Sequence, residues 1–320
     1  MEGSNFELKN PVEPIKVWKG MTVNELMLQM KGSGSLSSGA LAKAVDIYER
    51  MIMDNAYIFL TLSGALVPAG LKKVIITLIE KGWVNAIVST GANLVHDVLE
   101  AFGGKHHKFY SYVSDGTLYK IGVDRIYDVF VTEKDFNEKF DEPILNIYKE
   151  IAEARKGEIL SINDLLKEVA RRLPDNGSIL RTAYLNKVEV FAPAIQDSVY
   201  GLQAAVHNRS MQEPLRVDAF MDLQKIWSIR ETNHNVGAVI LGGGVPKNYV
   251  FQSFYFEERK LNYVVQITLD RPETGGLSGA TLDEAVSWGK IDKDARKAVV
   301  VSEITLAFPM LVAALLERFS

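Results

Sequence analysis

Short apolar runs that end in small residues and lead into helical periods recur along the chain, and this alternation constrains the fold more than any other feature. Three such runs, each with the small residues that follow it, are Tyr57–Leu62 before Ser63-Gly64, Ala86–Ser89 before Thr90-Gly91, and Gly237–Leu241 before Gly242-Gly243-Gly244. Each run has the length of a strand, and the segments between the runs carry the period of amphipathic helices. Continuous apolar strands alternating with helices are typical of a mostly parallel sheet covered by helices on both faces. We therefore expect an α/β fold with a mostly parallel, doubly wound sheet.

The pattern predicts about seven strands and an N-terminal helical arm. The expected strands are Tyr57–Leu62, Ala86–Ser89, Arg125–Val131, Val188–Ala192, Gly237–Leu241, Tyr263–Leu269 and Ala298–Ser302. The expected helices are Val23–Met30, Leu41–Asp54, Leu71–Lys81, Leu94–Phe102, Lys134–Ala154, Ile162–Leu173, one capped by Ser178, and a closing helix Pro309–Phe319 that begins at its proline. Gly32–Gly39, rich in glycine and serine, is expected to be a flexible link. No shift in composition marks a second domain, so we expect an arm with helices over residues 1–55 and one α/β domain over residues 56–320.

Composition excludes several classes of protein. A formal net charge of −4 gives no electrostatic footprint for nucleic acid. The chain has no cysteine, which excludes disulfides and thiolate metal sites. The adjacent His106 and His107 lack a third ligand at metal-site spacing, so no metal is expected. No apolar run reaches a membrane-spanning length, and the N-terminus does not resemble a signal peptide. We therefore expect a soluble, cytoplasmic protein.

The small residues that end the strands mark the expected ligand-binding edge. In an open parallel sheet, ligands bind beyond the carboxyl ends of the strands. Glycines at that edge let backbone N–H groups approach a phosphate. None of the three turns is the G-x-G-x-x-G fingerprint. A nucleotide site and a set of tight strand-to-helix turns explain the pattern about equally well.

A second candidate for chemistry is Lys290, which follows Trp288 and Gly289. An aromatic face can hold a cation, and partial burial would lower the pKa of the amine and allow it to form an imine. A solvated lysine after a helix whose tryptophan is in the core is the alternative, and for a lone lysine it is the commoner case.

Several motifs together resemble one family. The run Asp-Glu-Ala-Val-Ser-Trp-Gly-Lys-Ile at 283–291 resembles the active-site segment of deoxyhypusine synthase, and Leu-Gly-Gly-Gly-Val-Pro-Lys at 241–247 resembles its glycine-rich turn. Further matches are Gly-Val-Asp-Arg-Ile at 122–126, Pro-Ala-Ile-Gln-Asp at 193–197 and Phe-Pro-Met-Leu-Val-Ala at 308–313. The resemblance covers most of the chain in family order, and it implies a Rossmann-like NAD-binding fold in which Lys290 is the covalent nucleophile.

The resemblance also implies NAD as the cofactor. The residues that correspond to the family's NAD site are Leu66, Thr90, Gly91, Asp197, Gly243, Gly244, Leu269, Asp270 and Glu303. Gly91 belongs to a turn, Thr-Gly-Ala-Asn at 90–93, that is Thr-Ala-Gly-Gly in the family, and Glu303 replaces an aspartate. A Ser-Asn pair before the leucine becomes Gly-Ala at 64–65. The turns of the implied NAD site nevertheless still consist mainly of small residues.

The implied amine pocket differs more from the family. Glu284 and Trp288 are retained, and Asn248 replaces a histidine. Two adjacent glutamates of the family become Val95 and His96, while two further acids become Leu202 and Leu277. Desolvated ammonium groups need compensating anions. The pocket should therefore suit a substrate with fewer positive charges than spermidine. His96 could shuttle a proton there, although a histidine outside the site is the commoner reading.

Taken together, these matches imply an NAD-dependent aminobutyl transferase that carries a polyamine-derived group as an imine on Lys290. The acceptor is either a lysine of a translation-factor precursor or a small diamine, as in the homospermidine synthases. An amine dehydrogenase and a non-catalytic relative remain as alternatives. The family forms homotetramers with active sites between subunits, so the same assembly is expected here.

Overall fold

A computed structural model describes residues 10–109, 113–174, 177–210, 213–256 and 258–320. Its strands are β1 (Tyr57–Leu62), β2 (Ala86–Ser89), β3 (His107–Lys108), β4 (Val123–Ile126), β5 (Val129–Thr132), β6 (Ile159–Leu160), β7 (Glu189–Phe191), β8 (Arg216–Val217), β9 (Val236–Leu241), β10 (Leu261–Thr268) and β11 (Ile291–Val301). Its α-helices are α1 (Val23–Ser33), α2 (Leu36–Met53), α3 (Lys72–Glu80), α4 (Gly91–Ala101), α5 (Asp115–Lys120), α6 (Glu133–Phe136), α7 (Glu142–Ala154), α8 (Ile162–Arg172), α9 (Ile179–Leu185), α10 (Val199–Ser210), α11 (Met221–Thr232), α12 (Gly244–Ser253), α13 (Leu282–Ser287) and α14 (Ile304–Arg318). A π-helical turn, Asn137–Asp141, precedes α7, and a 3₁₀ turn, Pro272–Thr274, follows β10.

The central sheet has six strands in the order β11-β10-β9-β1-β2-β7, and every neighbouring pair is parallel. Counted along the chain within this sheet, the order is 3-2-1-4-5-6, which is that of the Rossmann fold. The order reverses between β1 and β9. A crevice therefore opens beyond the carboxyl ends of these two strands, where a ligand is expected to bind. The predicted fold class is confirmed.

Helices bury both faces of the sheet. Along β1, Ile58, Leu60 and Leu62 pack into one apolar cluster, while Phe59 packs into the other. The first cluster includes Phe308 of α14, and the second includes residues of α12 and α13. Alternate side chains on a strand point to opposite faces, so a strand covered on both faces is apolar at most positions. This is why the central strands read as continuous apolar runs.

The prediction of one strand at Arg125–Val131 is wrong. The segment is a hairpin of β4 and β5, joined at Tyr127 and Asp128, and it belongs to a separate antiparallel sheet with β3. Tyr127 has a φ of 53°, in the left-handed region that tight hairpin turns require. Most side chains of both strands are at least partly exposed. The run is therefore not a buried strand of the main sheet.

Two other expectations also differ from the structure. The supposed link Gly32–Gly39 is largely helical, since α2 begins at Leu36 and packs its apolar face against β11. The closing helix α14 begins five residues before Pro309 and contains it. Glu303, whose side chain accepts from the Leu306 N–H at 3.1 Å, supplies the N-cap. Burial of the apolar faces outweighed the local helix-breaking signals in both places.

The N-terminal helices pack against the end of the chain. A capping box of Thr22 and Glu25 starts α1. Arg318 at the end of α14 donates to Asp46 at 2.9 Å and to Glu49 at 2.8 Å, both on α2. Within the described ranges, no helix is both long and apolar enough to span a bilayer.

Candidate functional site

A cavity of about 320 Å³ lies in the crevice at the carboxyl ends of β1, β9 and β10. Its lining includes the turn after β1, the turn after β9 and the start of α14; the residues are Ser63, Gly64, Gly242, Gly243, Thr268, Leu269, Asp270, Ser278, Ser302, Glu303 and Ile304. We call this the turn cavity. The Ser63 hydroxyl donates to the Gly243 carbonyl at 2.5 Å, which joins the two turns across the point where strand order reverses.

Four residues of the predicted cofactor site line the turn cavity: Gly243, Leu269, Asp270 and Glu303. Gly244 follows directly and begins α12 with a φ of 57°, a conformation that favours glycine. Hydrogen bonds from the start of α14 lower the pKa of Glu303, although its burial acts in the opposite direction. The cavity therefore combines a glycine turn with carboxylates that can accept hydrogen bonds from hydroxyl groups.

The other predicted cofactor residues lie outside this cavity, at the neighbouring part of the same sheet edge. Thr90 and Gly91 follow β2, and the exposed Asp197 follows β7. Gly91 packs closely on Ser198, since a Cβ at Gly91 would lie 2.4 Å from the Ser198 hydroxyl. Leu66 is buried in the turn after β1.

Asn93, whose role no sequence motif indicated, joins the turn after β1 to α4. Its side-chain oxygen accepts from the N–H groups of Leu66 at 3.0 Å and Val67 at 3.2 Å. Its amide nitrogen donates to the Gly64 carbonyl at 2.8 Å and to the Thr90 hydroxyl at 3.2 Å. A single buried side chain thus fixes the backbone of the first turn.

The local sequence explains where Lys290 is held. Thr281 caps the short helix α13, and Gly289 ends it with a φ of 66°. The N–H of Gly289 donates to Val286 and that of Lys290 to Ala285, at 2.9 and 3.0 Å, which is the Schellman arrangement. The chain then enters β11. Lys290 is therefore fixed at its backbone between a capped helix and the edge strand of the sheet.

Lys290 lies at a second cavity, of about 180 Å³, that we call the lysine cavity. It is lined by Lys247, Asn248, Phe251, Leu277, Ala280, Thr281, Glu284, Ala285, Trp288 and Lys290. It thus brings together the predicted nucleophile and three of the four predicted substrate residues, Glu284, Trp288 and Asn248. Leu277 also lies here, as expected from the altered pocket. The two cavities meet at segment 277–280, because Ser278 lines the turn cavity while Leu277 and Ala280 line the lysine cavity.

The surroundings of Lys290 favour a free amine more than bulk water does. Its Nζ lies 5.3 Å from the centroid of the Trp288 ring and 5.9 Å from that of Tyr255. Partial burial lowers the pKa of Lys290, and the Glu284 carboxylate offsets part of that effect. A lowered pKa raises the fraction of the nucleophilic, uncharged amine at neutral pH.

Lys247 is a second lysine in the same cavity, and the sequence did not single it out. It is 3% exposed, and burial lowers its pKa to about 8. Its Nζ donates to the Gln266 side chain at 3.1 Å and to the carbonyls of Leu277 and Ala280 at 3.1 and 2.6 Å. All three protons of the Lys247 ammonium are therefore engaged, whereas no described residue forms a hydrogen bond with the Lys290 amine. Of the two amines, that of Lys290 is the one that no described residue holds.

His96 lies outside both cavities. Its Nδ1 is 3.0 Å from His106 Nε2, and His106 Nδ1 is 2.7 Å from Glu100, which also pairs with Lys72. Burial chiefly, and His106 in addition, lower the pKa of His96 to about 4. Among the described residues, no group of three or more possible ligands could hold a metal ion.

Two of the expected apolar replacements also lie outside the lysine cavity. Val95 is buried in the core, and Leu202 is 63% exposed on α10. Of the residues predicted for the altered amine pocket, the lysine cavity therefore contains Leu277, Asn248, Glu284, Trp288 and Lys290.

Known proteins resemble the chain over nearly its whole length. A family model described as deoxyhypusine synthase matches residues 25–315. A "probable deoxyhypusine synthase" from Methanosarcina thermophila is 42% identical over 320 residues, 100% of this chain and 98% of that protein. A "probable deoxyhypusine synthase 1" from Archaeoglobus fulgidus is 38% identical over 303 residues, covering 95% and 97% of the two chains. The crystal structure of a "putative deoxyhypusine synthase" from Entamoeba histolytica shares the fold, with a TM-score of 0.64 at 20% identity over 92% of this chain and 93% of that one.

Proposed function

Because this chain belongs to the deoxyhypusine synthase family of transferases, we propose that it transfers an aminobutyl group from a polyamine to an acceptor amine through an imine on Lys290, with NAD as cofactor. The observation that carries the proposal is the common wall of the two cavities. Residues of segment 277–280 line both the lysine cavity and the turn cavity, which lies in the crevice of a sheet with the Rossmann strand order. An amine carbon could therefore react with groups held on both sides.

Lys290 supplies the covalent chemistry. NAD, when bound, accepts a hydride from the carbon beside a donor nitrogen and later returns it, so it is not consumed. The uncharged Lys290 amine adds to the resulting C=N carbon, and the donor's remaining amine leaves. The acceptor amine then adds to the lysine imine and releases Lys290 unchanged. Reduction of the last C=N bond completes the transfer, so atoms and electrons balance.

The residues at the sheet edge fit a dinucleotide. The turn cavity has a glycine turn in the crevice between β1 and β9, and a Cβ at Gly64 would meet nothing within 4 Å, so the space beside it is open. Asp270 and Glu303 carry carboxylates of the kind that bind ribose hydroxyls in this fold. Gly243, Gly244 and Leu269 would hold the cofactor with them. Leu66, Thr90, Gly91 and Asp197, on the adjoining strands, would extend the same site.

Glu284, Trp288 and Asn248 would bind the donor. Glu284 offers the one carboxylate of the lysine cavity and Trp288 an apolar, cation-binding face. A single carboxylate suits a donor segment with one ammonium group beyond the reacting nitrogen. A small diamine also has one ammonium group beyond its reacting nitrogen, so the same carboxylate suits it as acceptor, and it is the second candidate beside a lysine of a translation-factor precursor.

We further propose a homotetramer in which subunits complete each other's sites. Large apolar side chains are exposed around both cavities: Leu269 at 61%, Leu306 at 63% and Trp288 at 54%. Large exposed apolar side chains that form a patch beside a site are typical of a protein–protein interface. His96 could then contact substrate only from a neighbouring subunit. Light scattering at micromolar concentration should give four times the chain mass, and a monomer would exclude shared sites.

Trapping of the imine tests the reaction. The protein is incubated with NAD and spermidine, reduced with borohydride, and digested for mass spectrometry. We expect an aminobutyl adduct on Lys290, and none in Lys290→Arg, which keeps the charge but cannot form the imine. The absence of an adduct in the wild type with spermidine, homospermidine and putrescine would refute the transferase mechanism.

Two further measurements separate the alternatives. Product analysis with putrescine and with a precursor peptide containing the target lysine identifies the acceptor. Net accumulation of NADH without an acceptor would instead indicate an amine dehydrogenase. Failure to bind NAD or any polyamine would indicate a non-catalytic relative.

A further inference from the structure

Gln266, on β10, is a buried polar residue at the centre of the contacts between the two cavities. It is 1% exposed. Its amide nitrogen donates to the carbonyls of Gly242 and Ser278, both at 2.9 Å. Its amide oxygen accepts from Lys247 at 3.1 Å. With its nitrogen facing two carbonyls and its oxygen facing an ammonium, the side chain can adopt only one orientation.

Lys247 continues this network into the lysine cavity. Besides Gln266, it binds the carbonyls of Leu277 and Ala280. The two side chains together therefore make five hydrogen bonds, one to each other and four to backbone carbonyls of the β9 turn and segment 277–280. We call this arrangement the Lys247–Gln266 bridge.

Among the described residues, segment 277–280 makes few other hydrogen bonds. It carries no regular secondary structure, and its own turn hydrogen bonds, Gly279 N–H and Ala280 N–H to the Gly276 carbonyl, measure 3.1 and 3.2 Å. It contacts the glycine turn closely, since a Cβ at Gly243 would lie 2.4 Å from the Ser278 Cα. A buried ammonium that has only uncharged acceptors is costly. The Lys247–Gln266 bridge is thus the main polar attachment of segment 277–280. It forms although burial of the Lys247 ammonium costs free energy.

We propose that Lys247 and Gln266 are positioning residues that hold segment 277–280 against the Gly242–Gly243 turn, and so fix the distance between the turn cavity and the lysine cavity. The catalytic consequence rests on the function proposed above, because hydride transfer requires the donor carbon and the cofactor at close range. The attachment itself does not depend on that function. Neither residue needs to touch the reacting atoms.

The charged groups that face Lys247 support this role. Glu284, on α13, is the acidic group that acts on it, and Phe251, on its own helix, places a ring centroid 5.8 Å from the Nζ. Lys290 shares the cavity. Burial outweighs the attraction of Glu284, which leaves the pKa of Lys247 at about 8. The ammonium therefore keeps its three donors at neutral pH and loses one above pH 8.

The first experiment measures how firmly segment 277–280 is held. Lys247→Met removes the ammonium while keeping an unbranched side chain of similar length. Lys225→Met is the matched control, since Lys225 also donates to three acceptors, Ser161, Asn163 and Asp164, but lines neither cavity. Hydrogen exchange of the peptide spanning 276–281 should accelerate at least tenfold in Lys247→Met and remain unchanged in Lys225→Met. Unchanged exchange in Lys247→Met, or equal acceleration in both variants, would overturn the proposal.

The second experiment distinguishes positioning from general stability. In Gln266→Glu the size is kept, but both donors to Gly242 and Ser278 are lost and a carboxylate is placed beside Lys247. We expect kcat to fall at least tenfold, the KM for the amine to change less than threefold, and the alkaline limb of the kcat profile to move to higher pH. If kcat falls and KM rises to a similar extent, and the alkaline limb of the kcat pH profile does not move, the positioning role would be contradicted. If the wild type gives no Lys290 adduct, the proposed function fails, while the exchange measurement still decides whether the attachment exists.

Discussion

Replacement of Asn93 by alanine tests how the first turn of the crevice is held. Asn93 is 1% exposed and makes four hydrogen bonds, two as acceptor and two as donor. Alanine would strand the N–H groups of Leu66 and Val67 and the carbonyl of Gly64. A stranded buried polar group costs about 1 to 2 kcal/mol when water reaches it in part. The expected loss in the free energy of unfolding for the three groups is therefore about 3 to 6 kcal/mol.

Urea denaturation followed by far-ultraviolet circular dichroism measures this loss. Asn186→Ala is the matched control, because the Asn186 amide also donates to a backbone carbonyl, that of Thr182 at 2.9 Å, but at an exposed helix end. Its cost should stay below about 0.5 kcal/mol. Hydrogen exchange at the Leu66 and Val67 amides should accelerate only in Asn93→Ala. A loss below about 1 kcal/mol with unchanged exchange would show that the clamp does not fix the turn.

Two further predictions concern the same edge of the sheet and the histidine network. Gly243→Ala places a Cβ 2.4 Å from the Ser278 Cα. We therefore expect urea denaturation to show a loss of about 1 to 3 kcal/mol in the free energy of unfolding, and calorimetry to show weaker NAD binding. The control Gly116→Ala, with nothing within 4 Å of the new Cβ, should cause neither effect. Burial lowers the pKa of His96 in the folded state to about 4, below its usual value of 6.5, so the unfolded chain takes up a proton first as the pH falls. This contribution to stability is complete above pH 6.5 and is lost as the pH falls toward 4. His96→Gln should flatten that acid limb relative to the exposed control His234→Gln, and an equal slope in both would refute the assignment.

Much of the fold could be predicted because its signals are local. Strands β1 and β2 match the predicted bounds, since a strand buried on both faces is apolar at most positions, and each run is followed by small residues. The helices α10 and α11 were not predicted. α10 buries Tyr200 and His207 but leaves other apolar side chains exposed, so its sequence lacks a clear apolar stripe.

The sequence by itself determined the family, the strand-and-helix alternation and the segment that carries Lys290, because each depends on contiguous residues. Only the tertiary structure decided which strand ends meet, and therefore that Gly243, Asp270 and Glu303 share one cavity. It also revealed Lys247, whose hydrogen-bond partners lie 19 to 33 positions away along the chain. A buried polar side chain is defined by the acceptors that folding brings to it, and no local pattern records them.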